Sequence, residues 1–227
     1  VSEPIHLRPT APLAPRVLLP GDPGRALALA QVVLGDDRKM FHHHRGLWGY
    51  TGTAADGAPL TIQSTGIGGP SGAVVLEELA RMGARAAIRV GTARALQDRV
   101  QAGALLAVTE VLAQDGTSRA LRAGDERLPL AFADALDDDA DDARGPIVSH
   151  DLLYAPDADA EARTAAWRAE GLVAADLETA ALAAVARRHG IAFGAILILD
   201  GHRLADEALA PAAERAGRAA AAALLGG

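Results

Sequence analysis

Residues 60–96 read LTIQSTGIGGPSGAVVLEELARMGARAAIRVGTARAL, and the fold follows from this stretch. Residues 60–64 have the apolar content of a short strand. Thr65-Gly66-Ile67-Gly68-Gly69-Pro70-Ser71-Gly72 cannot extend it: glycine and proline at this density make a tight turn that brings backbone close to a neighbour. Residues 73–82 set Val74, Val75, Leu79 and Met82 at helical spacing and leave Glu77, Glu78 and Arg81 for water. Gly83 stops that helix. Residues 86–90 form a second buried strand, which Gly91-Thr92 ends. Strand, helix and strand of this length predict a parallel pair with a right-handed crossover. The turns after both strands then share one sheet edge, where open α/β sheets bind ligands. Arg89 closes the second strand inside an apolar run, and a charge there is costly unless it meets an anion.

Gly66-x-Gly68-x-x-Ser71 nearly matches the dinucleotide-binding glycine pattern. That pattern also needs an acid at the end of the next strand to hold a ribose hydroxyl, and Arg89 has the wrong sign. A tight turn without a ligand also accounts for the glycines taken alone.

The chain of 227 residues is long enough for one α/β domain spanning 1–227 with a large core. Half of it is hydrophobic but only 3% is aromatic, so Ala, Val, Leu and Ile fill that core. A net charge of −7 argues against nucleic acid as a partner. Zero cysteines exclude disulfides and thiolate catalysis and fit a cytoplasmic location. No apolar run approaches the roughly 20 residues that span a bilayer, so no membrane partner is expected, and the first residues lack a signal-peptide pattern.

Along the chain, residues 1–16 are a proline-rich arm carrying His6. A strand over 16–19 leads into Pro20-Gly21-Asp22-Pro23-Gly24-Arg25, a second strand-to-helix turn. Helix N-termini attract anions, and the Arg25 fork suits phosphate. His42-His43-His44 invites a metal reading, but strand neighbours point to opposite faces, so at most two could share an ion, and no acidic or cysteine cluster accompanies them. Strands over 50–53 and 60–64 flank an Asp56-Gly57 turn and predict a hairpin. Further strands are expected over 104–112, 146–149 and 192–199. The run Asp137-Asp138-Asp139-Ala140-Asp141-Asp142 reads as a solvated acidic segment without the glycine and glutamate of a calcium loop. Asp176 and Glu178 stand at a strand-to-helix junction, where a carboxylate caps helix amides or accepts both hydroxyls of a sugar. Asp200 ends a buried strand, a position that favours a raised pKa and proton donation. The final helix, over 211–225, carries Arg215 and Arg218.

Arginines for a phosphate, a carboxylate for a ribose and an acid for a leaving group suit attack by phosphate on a glycosidic carbon. The cationic transition state at the sugar is stabilised by nearby anions. The motifs IHL (5–7), LLPGDPGRA (18–26), HRGLWGYTGT (44–53), STGIGGPSGAVVLEELARMGARAAIRVGT (64–92), SHDLLYAPD (149–157) and DLETAAL (176–182) resemble the nucleoside phosphorylase family that contains uridine phosphorylase and the hexameric bacterial purine nucleoside phosphorylases. The resemblance covers nearly the whole chain. It implies a single-domain three-layer α/β/α sandwich around a mixed, partly barrel-like central sheet of the phosphorylase/hydrolase-like kind. It implies no cofactor and no metal, with inorganic phosphate as co-substrate.

By the same resemblance, Gly21, Arg25, Arg89 and Thr92 bind phosphate, and Arg45 is the arginine that a neighbouring subunit lends to it. His6 is the histidine that the neighbour sends to the ribose 5′-hydroxyl. Glu178 holds the ribose hydroxyls, and Leu177 stands where a methionine packs under the sugar. A dimer is then the smallest complete site, within a hexamer. The base pocket is expected around Arg94, Tyr154, Asp176 and Leu199. Asp200 matches the purine enzymes' general acid, assisted by Arg215, although Leu199 replaces their usual serine. The glutamine and arginine with which the uridine enzymes read uracil are missing after SHDLLYAPD, where residues 157–161 are acidic. Arg94 replaces a pocket glycine, and it could fill the pocket, bind an unusual base or turn away. The reading leans to purine phosphorolysis, with uridine phosphorolysis and a catalytically weak nucleoside-binding relative as alternatives. A water-using nucleosidase would lack the paired phosphate arginines.

Overall fold

The structure, a computed structural model, describes residues 4–97, 101–135, 142–154, 157–200 and 203–224. The chain runs β1 (Arg16–Pro20), α1 (Pro23–Val33), β2 (Lys39–His42), a 3-10 turn (His44–Gly46), β3 (Gly49–Thr53), β4 (Pro59–Gln63), α2 (Gly69–Met82), β5 (Ala86–Ala95), β6 (Leu105–Ala113), α3 (Gly116–Ala120), β7 (Arg127–Pro129), β8 (Ala143–Ser149), α4 (Asp157–Ala169), β9 (Ala174–Asp176), α5 (Thr179–His189), β10 (Ala192–Leu199) and α6 (Asp206–Ala223). Among the described residues, no helix is long and apolar enough to cross a membrane.

The strands form one mixed sheet that closes on itself. β5 pairs with β10, β10 with β6, β6 with β8, β8 with β9, and β9 returns to β5, which makes a five-membered barrel. From β5 the sheet also extends outward through β1, β4, β3 and β2. β1 is buried on both faces, and its period of two divides the core. Val17 and Leu19 join one apolar cluster with Leu76, Leu79 and Leu182 of α2 and α5. Leu18 joins the other with Leu29 of α1 and Ala216 of α6. Helices thus cover both faces of the sheet, the three layers expected. Gly72 faces Leu182, with its missing Cβ only 3.4 Å from that side chain, so α2 packs closely on α5.

Four expectations are corrected. β4 and β5 do not pair with each other; β1 lies between them, parallel to both, because its fully apolar run takes the central place. β5 does not stop at Gly91-Thr92 but runs to Ala95, since Thr92 to Ala95 keep partners on β10 and β9. α2 begins at Gly69, with Pro70 in its first turn, because a proline there forfeits no helical bond. Glu78 does not face water: it is buried and accepts the backbone amides of Ile5, His6 and Leu7 at 2.7–3.1 Å. The β3–β4 hairpin turns at Asp56-Gly57 as expected, with Gly57 at φ +80°. Most of the acidic run at 137–142 lies outside the described residues; Asp142 itself accepts the Leu105 amide and an Arg215 N–H.

Candidate active site

The loops that follow β1 and β4, the distal half of β5 and the β9–α5 junction surround a cavity of about 560 Å³. At one end stand Gly21, Arg25, Arg45, Arg89 and Thr92. The loops are tied together by Thr65 N–H to the Pro20 carbonyl and Gly66 N–H to the Gly21 carbonyl, at 2.9 and 3.0 Å. Gly66 has φ +75°, and a Cβ there would lie 2.5 Å from Ser71 Oγ, so the turn requires glycine.

Arg89 is 3% exposed and meets two carboxylates. Its Nε donates to Asp176 Oδ2 at 3.2 Å and its Nη2 to Glu178 Oε2 at 2.5 Å. Its third nitrogen, Nη1, is buried without a partner among the described residues. The guanidinium lies over Gly91, where a Cβ would come within 2.7 Å of Arg89 Cζ. Arg25 has no carboxylate within ion-pair distance among the described residues. Burial lowers its pKa first, and the like charge of Arg89 lowers it further, against a weaker opposite pull from Asp22. Two desolvated cations that repel each other, one with a spare buried N–H, form a site for an anion.

The acids are fixed by different partners. Asp176 accepts from Ser149 Oγ and Thr179 Oγ1, each at 2.5 Å, and from the Thr179 amide at 3.1 Å, as well as from Arg89. Four donors saturate it, so its place is to hold Arg89 and the start of α5. Glu178 uses two of its roughly four lone-pair sites: Oε2 for Arg89, and Oε1 for the Gly68 amide at 2.7 Å. The remaining sites are free for hydroxyl donors. Leu177 lines the cavity beside it.

The far end is basic. Arg94 lines the cavity and donates from Nη2 to Thr164 Oγ1 of α4 at 3.2 Å. That hydroxyl in turn donates to the Ala160 carbonyl at 2.8 Å. Burial lowers the Arg94 pKa, opposed by Asp200 and assisted by Arg163 and Arg168. His150 also lines the cavity, is 8% exposed, packs on Trp167 at 5.0 Å and leaves Nδ1 without a partner. Burial lowers its pKa first, followed by the charges of Arg163 and Arg94, so the ring is held neutral. Arg163 sits over the Trp167 ring at 5.2 Å.

Three comparisons bear on this arrangement. A family model described as the Phosphorylase superfamily matches residues 15–225. The chain belongs to the phosphorylase superfamily. A guanosine phosphorylase of Halorubrum lacusprofundi is 34% identical over 195 residues, covering 83% of this chain and 78% of that protein. A uridine phosphorylase of Treponema pallidum is 32% identical over 208 residues, covering 82% and 77%. A purine nucleoside phosphorylase of the DeoD type from Exiguobacterium sp. is 31% identical over 204 residues, covering 86% and 84%. The crystal structure of a uridine phosphorylase from Vibrio fischeri superposes with TM-score 0.85 at 27% identity, covering 95% of this chain and 93% of that one. Purine, guanosine and uridine enzymes thus stand at similar distances from this phosphorylase-superfamily chain.

In this superfamily member, Gly21, Arg25, Arg45, Arg89, Thr92, Arg94, Asp176, Leu177 and Glu178 all line one cavity. Arg45, at φ +59° in the 3-10 turn, lines the cavity of its own chain, where the resemblance sends it from a neighbour. His6 does not line that cavity; its Nδ1 lies 2.9 Å from Glu78. Tyr154 is 93% exposed and outside the lining. Leu199 is buried in β10 opposite Ala93. Asp200 follows β10 at φ +49°, accepts the Ala95 amide at 2.9 Å and lies 3.8 Å from Arg203. Arg215 donates to Asp142 at 3.0 Å beside a separate shallow cavity lined by Gln101 and Leu204. His42 caps the arm by accepting the Arg8 amide at 3.0 Å. Among the described residues, no group of three or more His, Cys, Asp or Glu is placed to hold a metal ion.

Sequence reasoning placed residues 150–154 where a site loop would lie but gave His150 no role, and it missed Thr164 and Arg163. It stopped at the acidic residues 157–161, whereas α4 runs on and brings Arg163, Thr164 and Trp167 to the cavity's far end. The i, i+4 spacing of Arg163 and Trp167 was the available signal.

Proposed function

We propose that the protein catalyses reversible phosphorolysis of a purine ribonucleoside to free base and ribose 1-phosphate. The observation that carries the reading is the unpartnered buried Nη1 of Arg89, beside Arg25 and opposite Glu178 in one cavity. In this reading phosphate sits between Arg89, Arg25, Arg45, Thr92 and the Gly21 loop. Glu178 accepts the ribose hydroxyls, and Leu177 packs beneath the sugar. Phosphate and sugar then meet with the attacking oxygen facing C1′, which supplies the positioning part of catalysis. The negative charges of phosphate and Glu178 stabilise the cationic sugar. Asp200 and Arg215 are assigned to protonation of the leaving base, on their resemblance to the purine enzymes. Inorganic phosphate is the co-substrate, and no cofactor is required.

A homodimer is proposed as the smallest active unit, within a hexamer. His6 is held by Glu78 on its own chain and does not line its own cavity, while the cavity lining includes the exposed apolar residues Ile67 and Leu153, with Leu152 and Tyr154 exposed beside Leu153 in sequence. Uridine phosphorolysis is the second reading, favoured by the likeness to the Vibrio fischeri enzyme. A phosphorolysis panel with guanosine, inosine, adenosine, uridine and thymidine, with and without phosphate, tests all of this. Phosphate-dependent base release is expected, and release independent of phosphate would overturn it. Asp200→Asn is expected to lower purine turnover far more than uridine turnover; equal losses would remove Asp200 as a reason to prefer purines.

A further inference from the structure

We infer that Arg94 determines base specificity, selecting oxo-substituted bases, 6-oxopurines first, over adenine. The inference deepens the phosphorolysis reading and rests on it. Arg94 is a desolvated cation on the cavity wall whose Nη2 donates to a neutral hydroxyl, and no carboxylate lies within ion-pair distance among the described residues. The nearest acid, Asp200, spends one oxygen on the Ala95 amide. Thr164 is itself oriented by its bond to Ala160, so the Arg94 fork is held in place through Nη2, with no second hydrogen bond to the described residues. His150 adds a neutral imidazole whose Nδ1 is buried and unpartnered. A neutral imidazole donates from one nitrogen and accepts at the other, so the obligatory donors at this end are the N–H groups of Arg94.

A guanidinium cannot accept a hydrogen bond, so it must meet acceptors. Guanine and hypoxanthine present O6 and N7 side by side, and a bidentate arginine is the common partner of that edge. Adenine presents N7 beside an N6 amino donor, which would face Arg94 with N–H against N–H. Uracil offers a single carbonyl on each such edge. In the reaction, a phosphate oxygen bonds to C1′ as the C1′–N bond breaks, and the bonding pair passes to the base. Asp200 passes its proton to the base and is reprotonated by the proton of hydrogen phosphate, so the free base leaves neutral and the sugar leaves as ribose 1-phosphate. Negative charge that builds on the base is shared with O6, where the Arg94 fork meets it and strengthens its contact in the transition state.

The test compares wild type with Arg94→Met and Arg94→Lys, each checked for an intact fold and oligomer, on guanosine, inosine, uridine and adenosine at saturating phosphate. Wild type is expected to show kcat/KM for guanosine and inosine at least about tenfold above adenosine. Arg94→Met should shrink that ratio at least about tenfold, and Arg94→Lys, which keeps charge but loses the fork, should fall between. A ratio unchanged in Arg94→Met, or wild-type preference for adenosine, overturns the inference. Calorimetric titration of guanine and adenine into the same proteins separates the two readings. Absence of turnover on every nucleoside counts against phosphorolysis; the inference then stands if guanine binds more tightly than adenine only when Arg94 is present, and falls otherwise.

Discussion

Arg89 and Arg94 lie five residues apart on β5 and line the same cavity, yet their surroundings are opposite. Arg89 is nearly sealed from water and held by Asp176 and Glu178, with one nitrogen spare. Arg94 is half-buried and held by one hydroxyl. A cation clamped by two acids is part of the scaffold, and removing it leaves two buried charges without a partner. A desolvated cation with no acid at ion-pair distance among the described residues is, on our inference, held for a ligand. The Arg89 clamp is thus built into the fold, while Arg94 is mounted on it with fewer ties.

The largest effect should come from breaking the clamp. Arg89→Ala should destabilise the protein by about 3–5 kcal/mol, as for other broken buried pairs, and abolish phosphate dependence; denaturant melts and phosphate titrations read both. Undiminished phosphate-dependent turnover would remove Arg89 from the anion site. Gly91→Ala should come next, because its methyl group would meet Arg89 Cζ, Nη2 and Nε within 3.0 Å and displace the guanidinium while leaving both acids in the chain. A rise in phosphate KM of about tenfold is expected, one bond's worth of binding to a charged group, with nucleoside KM less affected. A loss confined to nucleoside KM would separate Gly91 from the clamp.

Arg94→Met sharpens the contrast from the other side. Removing a desolvated cation that has no acid should leave Tm within about 3 °C of wild type or raise it. A fall as large as that of Arg89→Ala would show Arg94 to be structural. The smallest effect belongs to His150, whose folded pKa lies below its usual 6.5 because burial and the arginines disfavour the charged ring. The unfolded chain therefore takes up the proton first as pH falls. Stability from this group is complete above about pH 6.5 and is lost as pH drops towards the folded pKa. Melts from pH 7.5 to 5 should show a shallower decline in His150→Gln than in wild type, and identical slopes would assign the loss to other groups.

Much of the phosphate end was legible in order along the chain. The turns at 20–25 and 65–72 announce themselves by glycine and proline, and Arg89 by its charge within an apolar strand. The reading failed where partners come from afar. Glu78 has a water-facing residue's place in the helical pattern, but the arm's amides, more than 70 positions away, bury it. Asp176 lines the cavity as expected and caps α5 through the nearby Thr179, but that Ser149 and Arg89, 27 and 87 positions away, take its other lone pairs was not legible.

By itself the sequence determined most of the long strands, the helices after the two glycine-rich turns and the family, because each depends on local spacing and on residue types that only certain backbones tolerate. The tertiary structure alone decided that β1 parts β4 from β5, that β5 continues to carry Arg94 into the cavity wall, and that α4 brings Thr164 and Arg163 against it. Those are contacts between strands and helices distant in the chain. Their selection depends on burying both faces of the sheet at once, and no window of sequence contains that constraint.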